Sequence, residues 1–484
     1  MTTENPLVAT TRGPVRGERR ADGSCRFLGI PYAQPPVGPL RFAAPVPPEP
    51  WTEPLDATAY GPTAQRRPLA EVTTIPEPSI PGEGVLNLNV FTPATDPEAG
   101  LPVLVWIHGG GYLAGSAASP WYDGAAFNRD GVVFVSLGYR LGIEGFLHLD
   151  GAPDNRGVRD WVAALEWVRD NIARFGGDPA KVTIAGQSAG GGAVQTLLAV
   201  PSARGLFRAA LSVSGAVTRP DGPEVARAVS RLFTARTGLP ATAAALQDLS
   251  DDELLDLQDR LGEPGPDREG LPPMLSLVPF ADGELIPEPV LDALTRGDAG
   301  ADVPLMLGFT AHEFNMIPGP GADGPPLPVL LGGLGLTEDR AATFAETYAD
   351  TAPSGLFGQA LTDVTFRAPA LAVADARAAL SRPTWLYQFD WASPVNGQAY
   401  HCLDLPFAFD LLDAEGVEAA AGPTPPKALA DALHGAWVAF VTQGDPGAAD
   451  WPPYTAGARV TKIWDATPRT EEDPFGELRA IWLD

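Results

Sequence analysis

Between residues 85 and 215 the apolar positions switch repeatedly between two periods. "LNLNVFTP" (86–93), "LPVLVWIHGGG" (101–111) and "GVVFVSLGYR" (131–140) read as strands, the second and third as near-continuous apolar runs. Such runs suit strands covered on both faces. "RDWVAALEWVRDNIARFG" (159–176) instead repeats its apolar residues at helical spacing and stops at a glycine. The short strand "KVTIAG" (181–186), the helix "GGAVQTLLAV" (191–200, closed by Pro201) and the strand "FRAALSVSGA" (207–216) continue the alternation. This order predicts an α/β chain built on a parallel sheet with helices on both faces.

The second half is less regular. Helical patterns cover 224–237, 243–261, 338–350 and 367–380, and the clearest strands are "VPLMLGFTAHE" (303–313) and "TWLYQFDW" (384–391). The stretches 60–84 and 316–335 are rich in Pro and Gly without periodicity, and are expected to be long loops. Loops of that length in a compact domain are usually the rim or lid of a site. No internal repeat is visible.

Composition narrows the function. The 484 residues are 45 % hydrophobic and 19 % charged, which is ordinary for a globular protein with a sizeable core. A formal net charge of −27 argues against nucleic acid and against anionic membrane surfaces as partners. The cysteines, Cys25 and Cys402, make neither a disulfide framework nor a metal-binding spacing. "MTTENPLVATTRG" lacks a basic stretch followed by an apolar run, and no run of about 18 apolar residues occurs. A cytoplasmic location is the expectation.

The chemistry centres on "TIAGQSAGGGAV" (183–194). Its G-x-S-x-G sits between a predicted strand and a predicted helix, where a serine can be held in a strained turn provided its neighbours two before and two after lack bulk. Gly186 and Gly190 meet that need and make Ser188 the candidate nucleophile. The loop "HGGGY" (108–112) follows a buried strand. The N–H groups of Gly110 and Gly111, with that of Ala189, are candidate donors to an oxyanion.

A serine of this kind needs a base, and five histidines are available. His108 precedes the glycine loop and is expected to brace it. His148 lies in a loop without a suitable acid, His434 opens a helical pattern, and His312 adjoins Glu313. His401, in "NGQAYHCLDLPFAFD", comes downstream of any acid, as the order Ser, acid, His requires. Glu313, just past a strand, is the preferred acid. Asp282 and Glu284 lie in what reads as a turn, and Asp404 is too close to His401 in sequence. Cys402 is expected to fill space beside the base.

These motifs together resemble the type B carboxylesterases, the para-nitrobenzyl esterase-like and cholinesterase branch of the α/β-hydrolase fold. The resemblance runs from "FLGIPYAQPPVGPLRF" through "LNLNVFTP", "HGGGY", "GYRLGIEGFL", "NIARFGGDPAKVTIAGQSAGG", "GFTAHEFN" and "HCLDLPFAF" to "WVAFVTQGDPGAADWPPY". It implies one catalytic domain over 1–484, with a large, mostly parallel, twisted sheet and helical and loop excursions around the pocket. It also implies the triad Ser188, Glu313 and His401 with the donors Gly110, Gly111 and Ala189. The family often has Glu at the position of Gln187, and usually Gly or Ala at that of Cys402. "GYR" at 138–140 and Trp161 also depart from its commoner residues. "GEGVLNLNV" lacks the cysteine of many secreted members.

The reading is a serine hydrolase of small to medium carboxylic esters, acting through an acyl-enzyme without metal or organic cofactor. The same triad suits carbamates, arylamides or lactones. A neuroligin-like binding protein is the reading from another class, and the filled triad speaks against it. Monomer and homodimer are both open. Trp391, Tyr400 and Phe407 are candidate pocket walls.

Overall fold

The computed structural model describes residues 5–69, 73–217, 221–268, 271, 276–297, 299–319 and 324–483. Its main sheet has eleven strands among the described residues. In chain order they are β1 (Glu18–Arg19), β2 (Cys25–Pro31), β3 (Asn87–Thr92), β4 (Leu101–Ile107), β5 (Val133–Leu137), β6 (Gly177–Gln187), β7 (Ala209–Val213), β8 (Leu305–Thr310), β9 (Thr384–Phe389), β10 (Val460–Trp464) and β11 (Arg469–Glu472). Across the sheet the order is β11-β10-β9-β8-β7-β6-β4-β5-β3-β2-β1. From β5 to β10 the neighbours are parallel, and both edges are antiparallel.

Alternation within the apolar strands accounts for the two covered faces. Along β4, Val103, Val105 and Ile107 join a core that contains Trp161 and Leu165 of the helix Arg156–Asn171. Leu104 and Trp106 join the opposite core, with Phe134, Leu211 and Trp437 of the helix Lys427–Gln443. A parallel strand buried on both sides has no polar face to show, so its sequence runs apolar throughout.

The elements predicted from periodicity are present with shifted ends. The helix expected at 159–176 runs Arg156–Asn171 and tightens into a 3₁₀ turn, Ile172–Phe175, before Gly176 at φ 82°. The strand expected at 181–186 begins earlier, at Gly177. The helix expected over 243–261 is two, Ala243–Leu246 and Asp251–Gly262. Ser250 and Glu253 form a reciprocal cap that starts the second, as the S-x-x-E in "SDDE" specifies. The helix expected at 367–380 is the end of a longer helical run. A π turn at Asp363–Arg367 interrupts the 3.6-residue period that would have revealed the Leu356–Thr362 turns before it. The expected loop 316–335 contains the helix Leu327–Gly333, masked by its Pro and Gly content; residues 320–323 lie outside the described residues. In 60–84 the described residues form neither helix nor strand, as expected.

Where the chain reverses direction across a parallel sheet, the loops at the carboxyl ends of two neighbouring strands diverge and leave a crevice. Here β5 lies on one side of β4 and β6 on the other, so the switch falls between β4 and β6. Ile107 pairs with Gly186 at the ends of these strands, which brings the "HGGG" loop and the G-x-S-x-G turn out side by side.

A buried ion pair ties the loop after β5 to the helix Arg156–Asn171. Arg140 and Asp160 are 1 % and 0 % exposed, with Nη2 to Oδ1 at 2.7 Å and Nε to Oδ2 at 2.9 Å. Arg140 also donates to the Ala43 carbonyl at 2.7 Å. Removing the carboxylate strands a guanidinium in a dry site. Asp160→Ala is therefore expected to lower the unfolding free energy by about 3–5 kcal/mol, read as a fall in the urea midpoint. A loss within error of zero would contradict the account.

Candidate active site

Ser188 stands between β6 and the helix Ala189–Ala199 with φ 59° and ψ −122°, a conformation that costs a non-glycine residue about 1–3 kcal/mol. Three backbone bonds hold it there. The Ser188 N–H donates to the Val213 carbonyl at 2.9 Å, and its own carbonyl accepts from Gly192 and Ala216 at 2.9 and 3.3 Å. The flanking glycines are required by close approach. A Cβ on Gly190 would lie 2.0 Å from the Ile107 carbonyl oxygen, and one on Gly186 would lie 2.4 Å from that of Gly190.

The neighbouring loop packs against this turn. A Cβ on Gly109 would fall 2.6 Å from the Gln187 carbonyl oxygen and 3.1 Å from Ser188 Cβ. Gly110, at φ 110°, and Gly111, at φ 62°, carry the loop through conformations that favour glycine. Among the described residues neither of their N–H groups is taken by a backbone or side-chain acceptor. Ala189 is fully buried as the first helical residue, so its N–H has no intrahelical acceptor.

Glu313 and His401 come from the loops after β8 and β9. Thr310 pairs with Phe389 at the ends of those strands. Beyond them the His312 N–H donates to Ala399 O at 3.0 Å, and the His401 N–H to Glu313 O at 3.1 Å. The Glu313 side chain is buried. Oε1 accepts the Thr310 N–H at 2.7 Å, and Oε2 lies 2.5 Å from His401 Nδ1. The other imidazole nitrogen, Nε2, lies 3.1 Å from the amide Nε2 of Gln187. Burial by itself would push the His401 pKa down. The Cys402 sulfur and the Glu313 carboxylate beside it reverse this and hold it well above 6.5.

Ser188, Glu313, His401, Gly110 and Gly111 all line one cavity of about 1070 Å³. Phe314 and Phe366 stand against His401, with ring centroids 5.1 and 5.0 Å from the imidazole. No Lys or Arg lines the cavity among the described residues, while Glu77 and Asp292 do. Among the described residues no group of three or more His, Cys, Asp or Glu side chains is arranged to hold a metal ion. No helix of the described residues is long and apolar enough to cross a membrane.

The carboxylesterase family matches residues 4–322 and 344–477. The chain belongs to that family. It is 38 % identical to the para-nitrobenzyl esterase of Bacillus subtilis, covering 98 % of this chain and 97 % of that one. It is 33 % identical to the liver carboxylesterase of Sus scrofa, covering 99 % of this chain and 93 % of that one. A solved PNB esterase superposes over the whole of both chains with a TM-score of 0.87 at 36 % identity. This carboxylesterase has the α/β-hydrolase fold.

The remaining histidines have structural roles. His108 stacks on Tyr139 at 4.6 Å and meets its own loop at Gly109 O, 2.8 Å away; burial pushes its pKa down to about 4. His312 accepts the Ala399 N–H at 3.1 Å and so tethers the segment that carries His401. His148 faces Asp154, and His434 faces Asp130 and the Ala408 carbonyl. Asp282 binds Asn155 and the N–H groups of Glu284 and Ile286, as expected of a turn.

Of the candidate walls, Tyr400 lines the cavity, whereas Trp391 packs on Phe407 and Phe407 on Phe389 in the core. Phe314 and Phe366 carry no local sequence signal for this place, save that the first adjoins Glu313. Cys402 is buried at φ 73° and lines the cavity, so a residue with a Cβ occupies a backbone conformation that suits glycine. Gly190→Ala is expected to retain less than about one hundredth of the wild-type kcat/KM, because the Ile107 contact leaves the turn no room to move. Near-wild-type turnover would show that the turn relaxes.

Proposed function

We propose that the chain hydrolyses small to medium neutral carboxylic esters, para-nitrobenzyl, aryl and alkyl esters among them, through an acyl-enzyme on Ser188. What supports this most directly is the buried Glu313 carboxylate set on His401 Nδ1 in the same cavity as a strained serine and two glycine N–H groups that find no acceptor among the described residues. The absence of Lys and Arg from the described lining gives a carboxylate-bearing substrate no counter-charge.

In the first half-reaction Ser188 Oγ bonds to the ester carbonyl carbon while its proton passes to His401 Nε2, and the carbonyl π pair becomes an oxyanion. The N–H groups of Gly110, Gly111 and Ala189 receive that charge. Each such donor is worth roughly 10²–10³ in rate. The tetrahedral adduct then expels the alcohol oxygen, which takes the proton from His401. Water adds to the acyl-enzyme by the same route, and the acid leaves with Ser188 restored. Glu313 holds the imidazole through Nδ1 and stabilises the imidazolium. The segment 1–484 acts as one catalytic domain, and none of these steps calls for a metal or organic cofactor.

Two outcomes are expected. Ser188→Ala should lose on the order of 10⁴–10⁶ in kcat against para-nitrophenyl acetate and butyrate; activity retained within tenfold would overturn the assignment. His401 must be neutral to accept the proton, so kcat/KM should fall as pH drops through its pKa, which lies above 6.5. The wild-type profile should therefore already be declining below pH 7, and a profile flat down to pH 5 would contradict this.

A further inference from the structure

Gln187 immediately precedes Ser188 and is 1 % exposed. Its carboxamide Nε2 lies 3.1 Å from His401 Nε2, while His401 Nδ1 faces Glu313. An imidazole that gives its Nδ1–H to a carboxylate keeps, when neutral, a lone pair on Nε2. The amide N–H of Gln187 donates to that lone pair, the same one that must take the Ser188 proton.

Apart from Ser188, the other polar groups that face His401 among the described residues favour its charged form. Glu313 does so from the loop after β8, and Cys402 from the loop after β9, which carries His401 itself. Asp404, fully buried on that same loop and near Glu313, has its carboxyl pushed up to about 7 by burial and by the Glu313 charge, and the His401 charge opposes that rise. Phe314 and Phe366 contribute rings only, and no Lys or Arg is among the described cavity residues. Gln187 is thus the polar neighbour whose hydrogen bond stabilises the neutral base. A carboxylate of the same shape has acceptors alone and would favour only the imidazolium.

We infer that Gln187 is a positioning residue for His401: its carboxamide holds the resting imidazole with Nε2 unprotonated and in place, and limits how strongly the site stabilises the imidazolium. The inference rests on the triad reading above. Its test is the pH profile of kcat/KM for para-nitrophenyl butyrate between pH 5 and 9. Wild type, Gln187→Glu and Gln187→Met are compared, with Ser188→Ala as control.

The acidic limb should move to higher pH by about one unit or more in Gln187→Glu, and by about half a unit in Gln187→Met, which loses the donor without adding charge. Limbs that superimpose in all three proteins would overturn the inference, whatever happens to the plateau, as would a limb that moves to lower pH in Gln187→Glu. A variant that lacks the wild-type far-UV circular dichroism is replaced by Gln187→Asn, whose shorter amide should raise the limb as Met does and overturns the inference if it does not. Turnover by Ser188→Ala would instead dispose of the triad reading, so the two failures are distinct.

Discussion

Everything at the site depends on how closely the end of β4 approaches the turn at Ser188. The Ile107 carbonyl occupies the space a side chain at residue 190 would need, and Gly109 lies against both Gln187 and Ser188. That contact lets two neighbouring parallel strands deliver the glycine loop and Ser188, the proposed nucleophile, side by side. It also forces the serine into a strained conformation, which Val213, Gly192 and Ala216 hold by hydrogen bonding. The strain is affordable because both faces of the sheet beneath are buried in apolar side chains.

The electrostatics follow from burial. Glu313 is fixed by a backbone N–H and by His401, so it orients the imidazole and favours its cation. The Cys402 sulfur adds to this, and Gln187 faces the opposite nitrogen. On the proposed reading His401, the candidate base, is therefore balanced between neighbours that favour charge and one that favours neutrality. On the proposed mechanism His401 changes charge twice in each half-reaction, and such a balance serves both changes.

The turn at Ser188, with Gly186 and Gly190, was legible because a tight turn constrains residue type at fixed spacing, and the choice of His401 as candidate base because few histidines were available. Glu313, the candidate acid, was singled out from its place past a strand end, and its carboxylate does meet His401. The wall from 361 to 372 was not, since a π turn at Asp363–Arg367 breaks the period on which helix reading relies. The contact between Gln187 and His401 joins residues 214 positions apart, and local pattern carries no trace of it. The expected helix over 243–261 was read too long because apolar spacing continued across the cap that Ser250 supplies. Chain order and turn chemistry are written locally, whereas side-chain meetings across strands are not.

The most direct test of the central claim is covalent trapping with diethyl para-nitrophenyl phosphate, followed by peptide mass spectrometry. The account predicts one diethylphosphoryl group per chain, carried on Ser188, with the rate of labelling greatly reduced in Glu313→Gln. Stoichiometric labelling at another residue, Cys402 included, or labelling at an unchanged rate in Glu313→Gln, would contradict it.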